Sequence, residues 1–168
     1  MEEIMKIRKA QISDAGAVGF VHAAAWKQTY ANVFPMEYLQ ADTSEKRKQE
    51  FLDSCKNQNI FYYLIEEAGL AVGVLKVMKQ TEGYEILSLY ILEEYRNNGI
   101  GKQAILYLSG QFGAETMQLW VLEDNKRARC FYEKNGFRST GNTRIIERGK
   151  PYVQVQYTKE AGRFLSEG

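Results

Sequence analysis

Between Tyr84 and Lys102 the chain carries residue types suited to holding an anion. An apolar run ending Leu89-Tyr90-Ile91-Leu92 leads through Glu93-Glu94-Tyr95 into Arg96-Asn97-Asn98-Gly99-Ile100-Gly101-Lys102. Two glycines one residue apart let the backbone N–H groups of a turn converge, and a helix starting there adds the positive end of its dipole. A phosphate is the ligand such a turn suits. The N–H groups of Asn97, Asn98, Gly99, Ile100, Gly101 and Lys102 would face it, with side-chain charge from Arg96 and Lys102. Arg96 fits a solvated turn equally well, and a glycine pair also serves an ordinary tight strand-to-helix connection, so the turn alone fixes no function.

A second constellation follows at Asn125 to Phe137, where a helix that Asn125 can cap carries Ala128 and Tyr132 and stops at Asn135-Gly136 before a new strand. The two motifs, R-x-x-G-x-G and N-x-x-A-x-x-x-Y-x-x-x-G-F, stand in this order with one helix and one strand between them. Together they resemble the GNAT superfamily of acyl-CoA-dependent N-acetyltransferases, and the resemblance covers about Met5 to Lys159. It implies acetyl-CoA as co-substrate, with its pyrophosphate at the Arg96 to Lys102 turn and no metal. It also implies that backbone groups of Leu89, Tyr90 and Ile91 bond the pantetheine arm as an added strand; the side chains of these residues by themselves read as core. Tyr132 would point its hydroxyl at the sulfur and protonate the leaving thiolate, which a phenol of ordinary pKa about 10 can do. Packing with Phe131 is the other reading of Tyr132. Asn125 and Arg129 would be cofactor-side neighbours, Asn125 also capping its helix. The implied reaction is direct attack by a primary amine on the thioester in a ternary complex.

Strand alternation puts Glu85 on the face of Leu87, Leu89 and Ile91, an apolar row in which a carboxylate is out of place unless it has work to do. Desolvation there would raise its pKa toward that of a general base. Some members of the superfamily carry a base glutamate eleven residues before the first residue of the loop motif, the distance from Glu85 to Arg96. A glutamate closing the strand start after Glu82-Gly83 fits the position too.

These residues need elements to position them. Met5 to Lys9 alternates as a short strand, and Ser13-Asp14 opens an Ala-rich helical pattern running to about Tyr30. Pro35 starts a short turn or helix through Leu39, and Thr43 to Ser54 reads as another helix. Ile60 to Glu66, Leu70 to Lys79 and Tyr84 to Leu92 form an antiparallel meander. Ile100, Ala104, Leu108 and Phe112 recur on one face of a helix that Gly113 stops; Met117, Leu119 and Val121 alternate as a strand, and strands over Phe137 to Ile146 and Lys150 to Lys159 close the chain. The expected class is α+β, a single domain with a GNAT-like mixed, mostly antiparallel central sheet flanked by helices.

Composition sets the bounds. A chain of 168 residues that is 45% hydrophobic can bury one substantial core but hardly two. Lys and Arg number 22 against 21 Asp and Glu, without long blocks of like charge, so a nucleic-acid surface is not expected. The first residues lack the apolar core of a signal peptide and no run reaches the roughly 20 apolar residues of a membrane span, so neither membrane insertion nor export is expected and the location reads as cytoplasmic. Cys55 and Cys130, with a single histidine, fit neither a disulfide scaffold nor a zinc site; Cys130 reads as a small packed residue and His22 as a packing or surface residue on the first helix, which borders the acceptor cleft in the resembling family.

Two other functions fit parts of the chain. Gly99-Ile100-Gly101-Lys102-Gln103-Ala104 satisfies the dinucleotide pattern G-x-G-x-x-A, with Glu123 as the ribose-binding acid of an oxidoreductase. Antiparallel hairpins ahead of the turn and the short chain after it weigh against this. A non-catalytic acyl-CoA-binding module would keep the loop and dispense with Glu85 and Tyr132. The acceptor would meet Trp26 to Leu39 and the segment Arg144 to Pro151, where Trp26, Tyr30, Phe34 and Tyr38 mix with Glu37. A small-molecule amine or a peptide N-terminus is the expected partner; W-x-x-x-Y followed by Pro and Tyr-Leu resembles small-molecule acetyltransferases, and a homodimer is compatible with the resemblance.

Overall fold

The computed structural model describes residues 5–113 and 115–160; residues 1–4, part of the segment read above as no signal peptide, lie outside them. The chain opens with strand β1 (Met5–Lys9). Arg8 then grips the Asp14 carboxylate through both terminal nitrogens at 2.9 Å, while Gln11 N donates to Asp14 Oδ2 at 2.7 Å. This pinned corner forces a 3-10 turn over Ile12–Asp14, so helix α1 (Ala15–Tyr30) starts just beyond the expected Ser13-Asp14. Helix α2 (Met36–Gln40) and helix α3 (Ser44–Ser54) follow, the latter capped by Thr43, whose hydroxyl accepts from Lys46 N at 3.1 Å.

The meander is β2 (Ile60–Glu67), β3 (Leu70–Lys79) and β4 (Tyr84–Ile91). A 3-10 turn at Glu93–Tyr95 leads through the glycine turn into α4 (Ile100–Phe112), followed by β5 (Met117–Leu122), α5 (Lys126–Lys134), β6 (Arg138–Glu147) and β7 (Pro151–Lys159). One seven-stranded sheet results, in the order β1-β2-β3-β4-β5-β7-β6. Every pairing is antiparallel except β4 with β5. This is the expected α+β architecture.

Each sheet face buries its own side chains. Ile100, Ala104, Ile105 and Leu108 of α4 pack on Tyr63, Ile65, Leu75, Val77 and Ile86, and this core continues into Met117, Leu119 and Tyr157. On the opposite face α1 and α3 cover Tyr62, Leu64 and Val74 with Val18, Val21 and Phe51. Each such side chain contributes about 1.5–3 kcal/mol when fully buried, so the helices are held by their apolar stripes. A third cluster joins Trp26, Phe34, Leu39 and Leu122, flanked by Tyr30, Tyr38, Tyr90, Ile146 and Tyr152. It closes the α1–α2 segment against the end of the sheet beside the β4–β5 junction. Among the described residues no helix is long and apolar enough to cross a membrane.

Candidate active site

The two central strands pair only at Tyr84 with Met117 and Glu85 with Gln118. Beyond that point they diverge, leaving the β5-facing edge of β4 from Ile86 to Ile91 outside the ladder. Such an edge presents N–H and C=O groups to an added strand. Leu89, Tyr90 and Ile91 lie on this stretch.

The glycine turn stands at the open end of the divergence. Asn97 and Gly99 both adopt left-handed conformations, φ +67° and +81°, which bend successive N–H groups toward one side. The first bond into α4 is Gln103 N to Gly99 O at 3.1 Å, and Ile100, Gly101 and Lys102 have no acceptor one turn back within the helix. That is a ready cradle for an anion. Asn98 and Lys102 are exposed on its rim.

Arg96 does something other than expected. Its Nε donates to Ile91 O at 2.8 Å and its Nη2 to Thr29 Oγ1 at 3.1 Å, so the guanidinium ties the end of β4 to α1 at the start of the turn. Arg127 also reaches the turn, its Nη2 donating to Asn97 Oδ1 at 2.8 Å. Sequence spacing gave no signal of this. A basic residue early in a helix is ordinary, and only the fold brings α5 against the turn.

The two glycines have different reasons. A Cβ on Gly99 would meet nothing within 4 Å, so its need is the left-handed backbone; a Cβ on Gly101 would lie 2.8 Å from Phe131 Cζ. Gly101 therefore lets α5 seat against α4, and phosphate approach is not its only constraint. Gly99→Val is expected to weaken CoA binding with the core intact. Gly101→Val should also cost about 1–3 kcal/mol by overpacking. Calorimetric titration with CoA, alongside thermal melting, measures both effects: each variant should melt several degrees lower than the parent without ligand, Gly99→Val through left-handed backbone strain and Gly101→Val through the Phe131 contact.

Helix α5 is capped by Asn125, whose Oδ1 accepts from Ala128 N at 3.1 Å. Arg129, expected beside the cofactor, ties α5 to β7: Nε donates to Tyr157 Oη at 3.0 Å and Nη1 to Glu123 O at 2.9 Å. Cys130, expected to pack inward, is exposed, as is Cys55, because α5 is one-sided and turns that position to solvent. Phe131 and Tyr132 both lie against the α4-side core, and Tyr132 packs on Phe131 and Phe137 with ring centroids 5.2 and 5.5 Å away. Burial pushes its pKa well above the ordinary phenol value, with Tyr30 close enough to contribute. Tyr30 and Tyr90 place their hydroxyl oxygens 3.2 Å apart, and Tyr90 is likewise raised, chiefly by burial, with Tyr30 and Tyr132 adding to it. Three phenols thus converge from α1, β4 and α5, a grouping that sequence distance concealed.

Glu85 is on the other face from the one that alternation predicts. Ile86 pairs with Val77 while Ser88 pairs with Lys76, so Leu87 is an extra residue with no partner on β3. This β-bulge reverses the alternation. Glu85 consequently shares its face with Ser88 and Tyr90, on the α1 side of the sheet, whereas Leu89 pairs with Leu75 in the α4-side core. Half-buried, the Glu85 carboxyl has a pKa raised by desolvation, held back by the positive charge of Arg144 and a hydrogen bond from Gln80. That bond, Gln80 Nε2 to Glu85 Oε1 at 2.8 Å, ends a line of amides: Gln118 donates to Gln80 at 3.3 Å and Gln156 to Gln118 at 2.6 Å. All these donors point toward Glu85, which favours its ionised form.

His22, on the same face, is fully buried with Nε2 3.1 Å from Ser88 Oγ. Burial lowers its pKa well below the ordinary value, with Arg47 and Lys76 adding to the effect, so it is a neutral packing residue. Two hollows, of about 570 and 400 Å³, run along α3 and include none of Glu85, Tyr132 or the glycine turn. The site is an open cleft between diverging strands, which a narrow thioester arm fits better than it fits a closed cavity.

Sequence and structure comparisons agree with this geometry. The model of the acetyltransferase (GNAT) family matches residues 23–137. A spermidine N(1)-acetyltransferase from Thermoplasma acidophilum is 28% identical over 155 residues, 86% of this chain and 96% of that protein. The uncharacterized N-acetyltransferase YuaI of Bacillus subtilis is 28% identical over 133 residues, 73% of this chain and 74% of its own. The crystal structure of the PaiA N-acetyltransferase from Thermoplasma acidophilum in complex with coenzyme A superposes with a TM-score of 0.75 at 25% identity, covering 94% of this chain and 99% of that one. The ribosomal-protein-S18-alanine N-acetyltransferase of Escherichia coli shares the fold, with a TM-score of 0.72 at 14% identity over 94% of each chain. The dinucleotide reading falls with the topology, since the glycine turn follows an antiparallel meander and the sheet is not doubly wound. With cradle, diverging strands and family model coinciding on the same residues, the chain belongs to the acetyltransferase (GNAT) family and uses acetyl-CoA as its acyl donor.

Proposed function

We propose that the protein acetylates the primary amine of a small molecule by direct attack in a ternary complex, with Glu85 taking the proton from the amine and Tyr132 supplying one to the departing thiolate. The observation that carries this reading is the divergence of β4 from β5, with Glu85 at its closed end, Tyr132 on the helix beside it and the N–H cradle at its mouth. The cradle would hold the pyrophosphate through the N–H groups of Asn97 to Lys102, and the free edge of β4 would bond the pantetheine arm at Leu89 to Ile91. The amine nitrogen bonds to the thioester carbonyl carbon as the C–S bond breaks; of the two protons the ammonium loses, one passes through Glu85 to solvent and the other replaces the one Tyr132 gives to the thiolate, so CoA leaves as a thiol and the phenol is restored. A small amine as acceptor is favoured over a peptide N-terminus by the relative that is a spermidine acetyltransferase, and by the aromatic cluster of Trp26, Tyr30, Phe34 and Tyr38, which narrows the approach.

Isothermal calorimetry with CoA and NADH, followed by thiol release from acetyl-CoA across a panel of amines, tests the reading. CoA should bind, NADH should not, and thiol should appear only when an amine is present. CoA binding with no thiol release for any amine or peptide would leave a binding module instead.

A further inference from the structure

The acceptor side of the cleft carries two guanidinium groups held without a carboxylate partner. Arg144 on β6 stacks over Trp120 at 4.3 Å from the ring centroid, and its Nε donates to Gln154 Oε1 at 2.6 Å. Those two contacts fix the plane of the guanidinium and leave its terminal nitrogens for another partner. Arg148, in the β6–β7 turn, lies over Tyr38 at 5.9 Å and donates from Nη1 to the carbonyl of the adjacent Glu147. Its turn is seated as well: Gly149 lies so close to α2 that a Cβ there would come within 2.7 Å of Pro35 Cγ. The ion pairs among the described residues involve Arg8, Arg47 and Lys76, and neither Arg144 nor Arg148.

These two charges act on each other and on the base. Arg148 opposes the protonated state of Arg144, and Glu85 favours it, so both guanidinium groups and the carboxylate belong to one electrostatic neighbourhood. Two like charges positioned by stacking on aromatic rings, with free N–H groups, have the arrangement that receives a carboxylate or phosphate. A cation fits poorly here. On the adjoining α2–α3 side Asp42 and Glu50 are both paired with Arg47, and Glu37 is exposed beside Tyr38.

We propose that the acceptor amine carries an anionic group, carboxylate or phosphate, that Arg144 and Arg148 hold while its amine faces Glu85. The proposal rests on the acetyl-transfer reading and narrows its substrate class to amino acids and aminoalkyl phosphates, away from polyamines. It has a chemical advantage too. A guanidinium beside the incoming ammonium favours loss of the proton that must leave before attack.

Thiol release from acetyl-CoA is measured with four primary amines: β-alanine, phosphoethanolamine, ethanolamine and spermidine. The two anionic acceptors are expected to exceed ethanolamine in kcat/KM by about 10- to 100-fold, the range for charge-assisted hydrogen bonds, and spermidine to fall below ethanolamine. Which anionic acceptor leads decides between carboxylate and phosphate. Arg144→Glu and Arg148→Glu should raise KM for the anionic acceptors, abolish their advantage over ethanolamine and leave CoA affinity unchanged. Spermidine or ethanolamine equalling the anionic amines in the parent protein would overturn the proposal while leaving acetyl transfer standing. Anionic amines favoured equally by parent and Glu variants would also overturn it, since the selectivity would then come from elsewhere. Absence of thiol release with every amine would refute both this proposal and the acetyl-transfer reading.

Discussion

Tyr132→Phe is expected to fold and bind CoA as the parent protein does while losing turnover by about 10²–10⁴-fold, the range for a general acid. The ring stays, so the contacts with Phe131 and Phe137 survive and thermal stability should change little. Only the hydroxyl is removed. Burial raises the phenol pKa, so Tyr132 holds its proton throughout the neutral range. A free thiol, with a pKa of about 8.5, is a stronger acid than a phenol, so the donation to the departing thiolate runs uphill and is completed only as the phenol regains a proton from the acetylated amine. Slow product release would hide the loss in steady state, so the comparison belongs in single-turnover conditions. An unchanged single-turnover rate would confine Tyr132 to packing.

Glu85→Gln is expected to lower kcat/KM at neutral pH and to remove the acidic limb of its pH profile. Rate should return in part at alkaline pH, where the amine is already neutral. The sign follows from the environment. Desolvation raises the Glu85 pKa, so the carboxylate is available as a base only above that raised value, and activity is lost as pH falls through it. Gln80→Leu supplies the complementary test. Gln80 stabilises the ionised form by donating to Oε1, and its loss should move the acidic limb to higher pH without abolishing activity. A Glu85→Gln profile that runs parallel to the parent across pH would show that the proton leaves by another route.

The places where the sequence misleads share a cause. Strand periodicity puts Glu85 with Leu89, and a single unpaired residue, Leu87, reverses that. A bulge depends on how two distant strands settle their register, which neither strand encodes by itself. Arg96 stands first in a phosphate-loop motif yet bonds Ile91 and Thr29, because α1 happens to supply acceptors within its reach. Cys130 reads as a packed residue beside Phe131, and the one-sided packing of α5 leaves it exposed.

What the sequence determined by itself was every helix and strand that positions the site, the glycine turn between β4 and α4, the Asn125 cap and the family. Those features are local: they follow from apolar period, turn chemistry and short spacings within one element. The tertiary structure alone decided the divergence of β4 from β5, the face of Glu85, the Gly101–Phe131 contact, the meeting of Tyr30, Tyr90 and Tyr132, and the cationic pair of Arg144 and Arg148. Each of these joins residues from different elements, and their distances are set by the balance of core packing across the whole sheet, a quantity that no window of sequence contains.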